Sequence, residues 1–390
     1  MLGLLCRRQA QRAQVRQKIA GSRDHASEDA LRTGQRLRET DLSPPPARLL
    51  SLATAVPPHI IEQSQVASHA RGLFGDRLAD AAKLLRVFET CGIRQRYAVQ
   101  PIDWYLAQRN WPERTSAYLE TASILFAEVA RAAIAQADLE PEDIDTVITV
   151  SSTGIATPSL EARAAAQLGF GDDVARVPVF GLGCAGGVTG LSLAARLAVA
   201  QPGTNVLVVI VELCSLAIRL DKLTAANIVA LSLFGDGAAA AVVRAGPDGL
   251  ASINHAAEHT WPDTLDIMGW QVDPEGFGVI FDRSIPPFAA QNLAPAVARI
   301  LDRQGLRPEM VGRFICHPGG PRVIEAIEWA LQLQRGGLDH ERAVLADFGN
   351  MSAPTALFVL QRVMAKGLPD NSLLMAFGPG FTLSTVTLGA

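Results

Sequence analysis

Aromatic residues make up only 6% of the 390-residue chain. That removes the stacking surfaces on which single-stranded nucleic acids bind. A basic excess is missing too: 35 Lys and Arg against 39 Asp and Glu leave a net charge of −4 and a pI near 6.0. No global positive field draws a polyanion, and no nucleic-acid partner is expected. No run of 18 apolar residues occurs; the best stretch, Asn205 to Ile218, is broken by Glu212. No integral membrane association is expected. Cysteine is sparse. Cys6, Cys91, Cys184, Cys214 and Cys316 form no C-x-x-C pair, and their number is odd. They read as reduced thiols of a cytoplasmic protein, and no metal site is signalled. Charged residues reach only 19% while apolar ones reach 48%. The chain therefore has material for a large core and is not disordered throughout.

What is present begins with a contrast. Residues 1–47 carry nine Lys and Arg and five Asp and Glu, show weak apolar periodicity and end just after Pro44, Pro45 and Pro46. They read as a solvated basic tail whose loss leaves the chemistry intact. The globular part starts near Arg48 and divides into residues 48–245 and 246–390.

These two parts resemble each other. Leu139–Val150 aligns with Leu306–His317, Gly183–Leu191 with Gly349–Leu357, and Phe234-Gly-Asp-Gly237 with Phe377-Gly-Pro-Gly380, in the same order. The repeat predicts an internal duplication. Helical apolar spacing over Ala122–Ala137 and Gln291–Gln304 precedes short apolar strands at Val147–Val150 and Phe314–Cys316. Val206–Val211 reads as a strand buried on both faces. Buried helices follow Cys184 to Ala200 and Asn350 to Lys366. The expected fold is α/β, a duplicated five-layer αβαβα sandwich with a pseudo-twofold axis.

That geometry makes Cys184 and Asn350 equivalent, each after a glycine where a buried helix starts. His317 lies at the carboxyl end of a strand, where α/β ligand sites form. The three can converge. A cysteine at a helix amino terminus, beside a histidine, is expected to have a lowered pKa and can accept an acyl group. An asparagine amide with a histidine can hold an oxyanion or enolate. The set suits thioester exchange and carbon–carbon bond formation.

At these residues the chain resembles the type III, chalcone-synthase-like polyketide synthases, which implies that the five-layer sandwich is of the thiolase-like fold. The resemblance spans about Arg48 to Ala390 and is carried by Gly183-Cys-Ala-Gly-Gly187, Leu233-Phe-Gly-Asp-Gly-Ala-Ala239, His317-Pro-Gly-Gly-Pro321, Phe348-Gly-Asn-Met-Ser352 and Phe377-Gly-Pro-Gly-Phe-Thr382. It implies that Cys184 is the nucleophile and that His317 and Asn350 promote decarboxylation of malonyl-CoA. It implies gatekeeper aromatics at Phe234 and Phe281, and pocket positions at Thr153, Thr157, Cys214, Ala217, Ser352, Gly378 and Pro379. Lys83 and Arg86 fall where the family binds CoA phosphates, inside a basic cluster with Arg94 and Arg96. Thr157 stands where the plant enzymes extend a Met toward the partner subunit. The partners implied are acyl-CoA, malonyl-CoA and a second copy of the chain, with no cofactor beyond the CoA thioesters.

Small side chains at Thr157 and Ala217, with Asp103-Trp-Tyr-Leu106 and the segment from Asp266 to Pro286, look most like bacterial long-chain alkylresorcinol and alkylpyrone synthases. The expected activity is iterative condensation of a fatty acyl-CoA with malonyl-CoA, closed to an alkylpyrone or alkylresorcinol. Alternatives are a small-starter synthase of phloroglucinol or naphthol type, a β-ketoacyl-carrier-protein synthase III, and a cysteine hydrolase, since papain-like enzymes use Cys, His and Asn in that order.

Overall fold

The computed structural model describes residues 45–74, 85–222 and 224–390. Most of the expected tail, and Lys83, lie outside the described residues.

The strands in chain order are β1 (Ala47–Ala55), β2 (His59–Glu62), β3 (Gln95–Ala98), β4 (Thr146–Val150), β5 (Ala175–Val179), β6 (Asn205–Leu213), β7 (Asp236–Ala245), β8 (Ala251–Thr260), β9 (Met268–Asp273), β10 (Gly276–Phe281), β11 (Phe314–Cys316), β12 (Ser372–Gly378) and β13 (Thr382–Gly389). The helices used below are α1 (Gln63–Phe74), α2 (Ile102–Leu106), α3 (Trp111–Gln136), α4 (Leu160–Leu168), α5 (Gly186–Ala200), α6 (Ala225–Leu233), α7 (Ile285–Asp302), α8 (Pro321–Ala330), α9 (Asp339–Phe348) and α10 (Thr355–Met364).

The duplication is written in the strand pairing. In the first half β4 runs parallel to β6, β6 antiparallel to β7, and β7 antiparallel to β1. In the second half β11 runs parallel to β12, β12 antiparallel to β13, and β13 antiparallel to β8. The two sets join where Ala47–Leu49 of β1 pair with Ala251–Ile253 of β8. The result is one sheet of nine strands ordered β11-β12-β13-β8-β1-β7-β6-β4-β5. The first half adds the edge strand β5; at the matching place the second half has α9.

Alternation along the strands assigns the layers. Val206, Val208 and Ile210 of β6 pack with α5 and α10, whereas Leu207, Val209 and Val211 pack with α3. Period-two alternation sends neighbouring side chains to opposite faces, so both faces are covered. Likewise Leu374 and Ala376 face α5 and α10, while Leu373 and Met375 face α7 and α8. Reading across gives α3 and α4, sheet, α5 and α10, sheet, α7 and α8: the expected five layers. Helix α3 starts about three turns before the expected Ala122. Asn110 Oδ1 accepts from the Glu113 amide (2.9 Å) and Glu113 Oε2 from the Asn110 amide (3.0 Å). That reciprocal cap fixes the start, where apolar spacing alone is silent.

The segment Gly183–Ala200 is long and apolar enough by composition to cross a bilayer, but it fills the centre of the sandwich. There α5 and α10 approach so closely that a Cβ on Gly187 would lie 2.3 Å from Ala353 O and 2.8 Å from Leu357 Cδ1. Gly187 and Ala353 are partners in the sequence repeat. Equivalent residues meet on a twofold axis, so this contact marks where the pseudo-axis passes. Cys184 and Asn350, three residues earlier in each copy, flank it.

Gly187→Ala is expected to force α5 and α10 apart and to cost about 1–3 kcal/mol, as overpacked cores do. Urea denaturation measures it; an unchanged midpoint and slope would contradict the close crossing.

Candidate active site

Cys184 is presented by a tight turn. Gly183 has φ +47°, and a Cβ there would sit 2.7 Å from the Pro379 ring. Only glycine fits that conformation in that space. The turn Gly183–Ala185 then runs into α5. Gly378 packs against Ala185 and Leu182 from the β12–β13 corner. The two Gly-rich motifs are thus two sides of one contact behind Cys184.

Asn350 is fixed by four hydrogen bonds. Its backbone N–H donates to Leu233 O (2.7 Å) and its carbonyl accepts from Gly235 N–H (3.0 Å). Its Oδ1 accepts from the Ser352 amide (2.8 Å), and its Nδ2 donates to Gly319 O (3.2 Å). Because Oδ1 must be the acceptor opposite an N–H, the carboxamide has only one sensible orientation. One Nδ2–H remains for a ligand. Ser352 holds a left-handed φ of +60°, secured by Thr355, whose hydroxyl donates to Ser352 O (2.8 Å) and accepts from Met351 N–H (3.0 Å). The Ser352 hydroxyl in turn faces the Cys184 thiol and favours its thiolate.

His317 leaves β11 with its amide on Met375 O (2.9 Å), and Gly319 N–H returns to His317 O (3.0 Å). A continuous set of contacts therefore links Cys184, Ser352, Asn350, Gly319 and His317. The His317 side chain is buried, and among the described residues neither ring nitrogen has a hydrogen-bond partner. Buried polar atoms are nearly always paired, so an orphaned imidazole is a place for a ligand.

One expectation is corrected. Burial pushes the Cys184 thiol up to about 12, with the Ser352 hydroxyl opposing and the Glu212 carboxyl assisting. Burial also pulls the His317 imidazole down to about 3. Desolvation outweighs the helix-terminus effect read from sequence. Taken singly, both groups rest neutral. A thiolate arises only when the proton passes to a base that becomes charged beside it.

The sequence reading missed Glu212, which it used only as a break in an apolar run. This residue is fully buried in β6. Its two oxygens accept from the Ser152 amide (3.1 and 3.0 Å), and Oε2 accepts from Thr153 Oγ1 (2.8 Å). Thr153 Oγ1 also accepts from Leu213 N–H (2.8 Å). Burial pushes the Glu212 carboxyl up to about 8. A charged residue inside a strand of Val and Ile was the available signal. Asp236 is similar: it accepts from Ser215 N–H (2.7 Å) and Val99 N–H (2.8 Å), and burial pushes it up to about 7.

Other positions fall as follows. Cys214 and Ala217 are buried; burial raises the Cys214 thiol, with the charges of Glu212, Asp236 and Cys184 adding to it. Thr157 is exposed, so within the single chain it lines no interior wall. Phe234 is buried at the end of α6. The ring that meets it is Trp270, edge-on at 6.3 Å, with Trp270 Nε1 donating to Ser152 O (2.8 Å). Phe281 pairs with Met268 at the end of the β9–β10 hairpin. Arg86 is exposed. The expected surface cluster of bases is not intact: Arg96 is buried inside the fold, and Arg94 pairs with Asp347.

The fold is shared with known proteins. Residues 35–247 match the family model for the N-terminal domain of chalcone and stilbene synthases, and residues 252–390 the model for the C-terminal domain. A 1,3,6,8-tetrahydroxynaphthalene synthase of Streptomyces peucetius subsp. caesius is 38% identical over 343 residues, covering 86% of this chain and 91% of the relative. A protein of Bacillus subtilis named putative chalcone synthase is 35% identical over 356 residues, covering 86% of this chain and 96% of the relative. The crystal structure of 1,3,6,8-tetrahydroxynaphthalene synthase from Streptomyces coelicolor A3(2), a bacterial type III polyketide synthase, superposes with a TM-score of 0.83 at 31% identity, covering 88% of this chain and 99% of that one. The chain belongs to the chalcone and stilbene synthase family. It is a type III polyketide synthase, an enzyme of the acyltransferase class.

Between about pH 4.5 and 8 the folded state keeps a proton on Glu212 that the unfolded chain has lost. Stability contributed there falls as pH rises through that window. Glu212→Gln cannot ionise. Its stability relative to wild type is expected to improve by at least ~1 kcal/mol from pH 5 to pH 8. Urea melts at both pH values test this, and a constant difference would contradict it.

Proposed function

We propose that the enzyme condenses malonyl units iteratively on Cys184. The observation that carries the reading is the free Nδ2–H of Asn350 beside the unpartnered imidazole of His317, both joined through Ser352 to the thiol. A malonyl thioester carbonyl placed on these two donors gains stabilisation as its oxygen becomes negative. The bond to the carboxylate breaks, CO2 leaves, and the electron pair passes to the α-carbon and the enolate oxygen. The enolate carbon attacks the acyl thioester of Cys184. Collapse expels the thiolate and leaves the extended chain on CoA, from which it returns to Cys184 by thioester exchange. Loss of CO2 supplies the driving force, so the step calls for CoA thioesters and no other cofactor.

The starter in this reading is small. Trp270, a bulky ring pinned to Ser152 O and set edge-on against the expected gatekeeper Phe234, supports this reading. The relatives named tetrahydroxynaphthalene synthase at 38%, 32% and 31% identity support an aromatic product of naphthol type. A second reading, a fatty acyl-CoA starter closed to an alkylpyrone or alkylresorcinol, rests on the small buried side chains Cys214 and Ala217 below the site. In both readings Arg86, with Lys83, meets the CoA phosphates.

A homodimer is part of the proposal. Among the described residues strand β5 pairs on one side only, and Phe180 beside it is 55% exposed; a bare edge needs cover. The unpaired thiols of Cys91, Cys184, Cys214 and Cys316 suit a reducing cytoplasm.

Labelled malonyl-CoA, alone and with acyl-CoA starters from acetyl to long-chain, tests the reading. Expected is an aromatic product from malonyl-CoA alone, lost in Cys184→Ala, with Trp270→Ala admitting longer starters. Product from long-chain starters only would replace the first reading by the second. No malonyl-CoA consumption would overturn both.

A further inference from the structure

Strand β11 ends the nine-strand sheet, and it is the strand that delivers His317. Its inner edge is satisfied by β12: Leu373 N–H donates to Arg313 O (2.8 Å) and His317 N–H to Met375 O (2.9 Å). Successive residues of a strand turn their N–H groups to opposite edges. Cys316 N–H therefore points outward, one residue before the imidazole. In the first half the residue matching Cys316 in the repeat is Thr149, and β5 pairs beside it at Pro178. Among the described residues no strand lies outside β11. A side chain of α9 takes that place: Glu341 Oε1 accepts from Cys316 N–H (2.9 Å).

A carboxylate is an expensive cover for a sheet edge. Glu341 is fully buried, and a buried charge is costly unless paired. Its Oε2 lies 3.2 Å from Arg313 Nη2, which also meets Asp339 Oδ1 (3.1 Å). Burial still pushes the Glu341 carboxyl up to about 7, with the Cys316 amide and Arg313 opposing. An apolar side chain would fill the same space without that cost. What it would not supply is the acceptor for Cys316 N–H.

The place of Glu341 gives this bond a second consequence. It stands in the first turn of α9, and α9 runs through Phe348 to Gly349 and Asn350. The start of the helix is thus tied to the strand that ends in His317, and its far end opens on Asn350. We propose that Glu341 is a positioning residue for the decarboxylation centre: its carboxylate fixes the backbone from which His317 projects against the helix that leads into Asn350. The catalytic consequence rests on the role given to His317 above.

Three variants test it. Glu341→Gln keeps an oxygen for Cys316 N–H, whereas Glu341→Leu and Glu341→Met keep none; melting curves show which of them fold. Decarboxylation is read as CO2 release from malonyl-CoA labelled in its free carboxylate, and the thiol as the rate of Cys184 alkylation by iodoacetamide. Expected is CO2 release lower by about tenfold or more in a folded apolar variant, the scale on which small misplacements act. Alkylation is unchanged, and Glu341→Gln retains CO2 release within about threefold of wild type. The ring signal of His317 in protein carrying 13C-histidine, assigned with His317→Gln, is expected to shift or broaden in the apolar variants and to stay in place in Glu341→Gln. The proposal is overturned by an unmoved ring signal or unchanged CO2 release in a folded apolar variant, by equal losses of decarboxylation and alkylation, or by failure of Glu341→Gln to retain activity. Wild type that released no CO2 would refute the role of His317 instead, and the ring signal would still decide on Glu341. Where neither apolar variant folds, deuterium exchange at the Cys316 amide of wild type decides: protection of about a hundredfold or more is expected, and exchange at the rate of a free peptide would overturn the proposal.

Discussion

The hydrogen bonds of Asn350 are the constraint on which the rest of the structure depends. Its backbone is paired with Leu233 and Gly235 of the first half, and its side chain with Ser352 and Gly319 of the second. One residue therefore stitches the two halves together and aims its remaining N–H. Were the carboxamide free to turn, the site would lose its fixed N–H donor. Preorganised donors are effective because they need no reorganisation when charge develops. The left-handed Ser352 that orients Oδ1 is a strained conformation, and such strain persists where the surroundings over-determine it. Here Thr355 supplies that support.

Duplication explains why the parts meet. Two copies of one strand-and-helix unit, crossing at Gly187 and Ala353, bring their two helix starts to one place. The first copy offers a thiol there and the second an amide. The same burial that dries this centre makes it electrostatically demanding. Glu212, Asp236 and Arg96 are all withdrawn from water, and among the described residues His317 has no partner for its ring. A dry site strengthens every interaction with a developing charge but holds each resting group close to neutrality. The shifts at Cys184 and His317 are two faces of that one condition.

Much of this was legible beforehand. The repeat, strands β4, β6 and β11, the buried helix after Cys184 and the convergence of Cys184, His317 and Asn350 all follow from apolar period and aligned motifs. Three things were not. The continuity of the two sheets through β1 and β8 depends on a long-range pairing of only a few residues, which leaves no local pattern. Arg96 reads as a surface base because a sequence shows charge but not burial. Trp270 lies within the Asp266–Pro286 segment, but that segment gives no sign of its hydrogen bond across the fold to Ser152. Glu212 was visible as an anomaly, a carboxylate in a run of Val and Ile, but its partners lie 59 and 60 residues away in sequence.

The central claim is that His317 and Asn350 form a decarboxylation centre whose chemistry precedes, and is separable from, acyl transfer to Cys184. The direct test is CO2 release from malonyl-CoA labelled in its free carboxylate, measured for Cys184→Ala and for Asn350→Asp. The account predicts that Cys184→Ala still releases CO2 and accumulates acetyl-CoA, because both donors remain. It predicts that Asn350→Asp falls at least a hundredfold, because a carboxylate replaces an N–H donor facing a developing anion. Equal CO2 release by Asn350→Asp and wild type would contradict it.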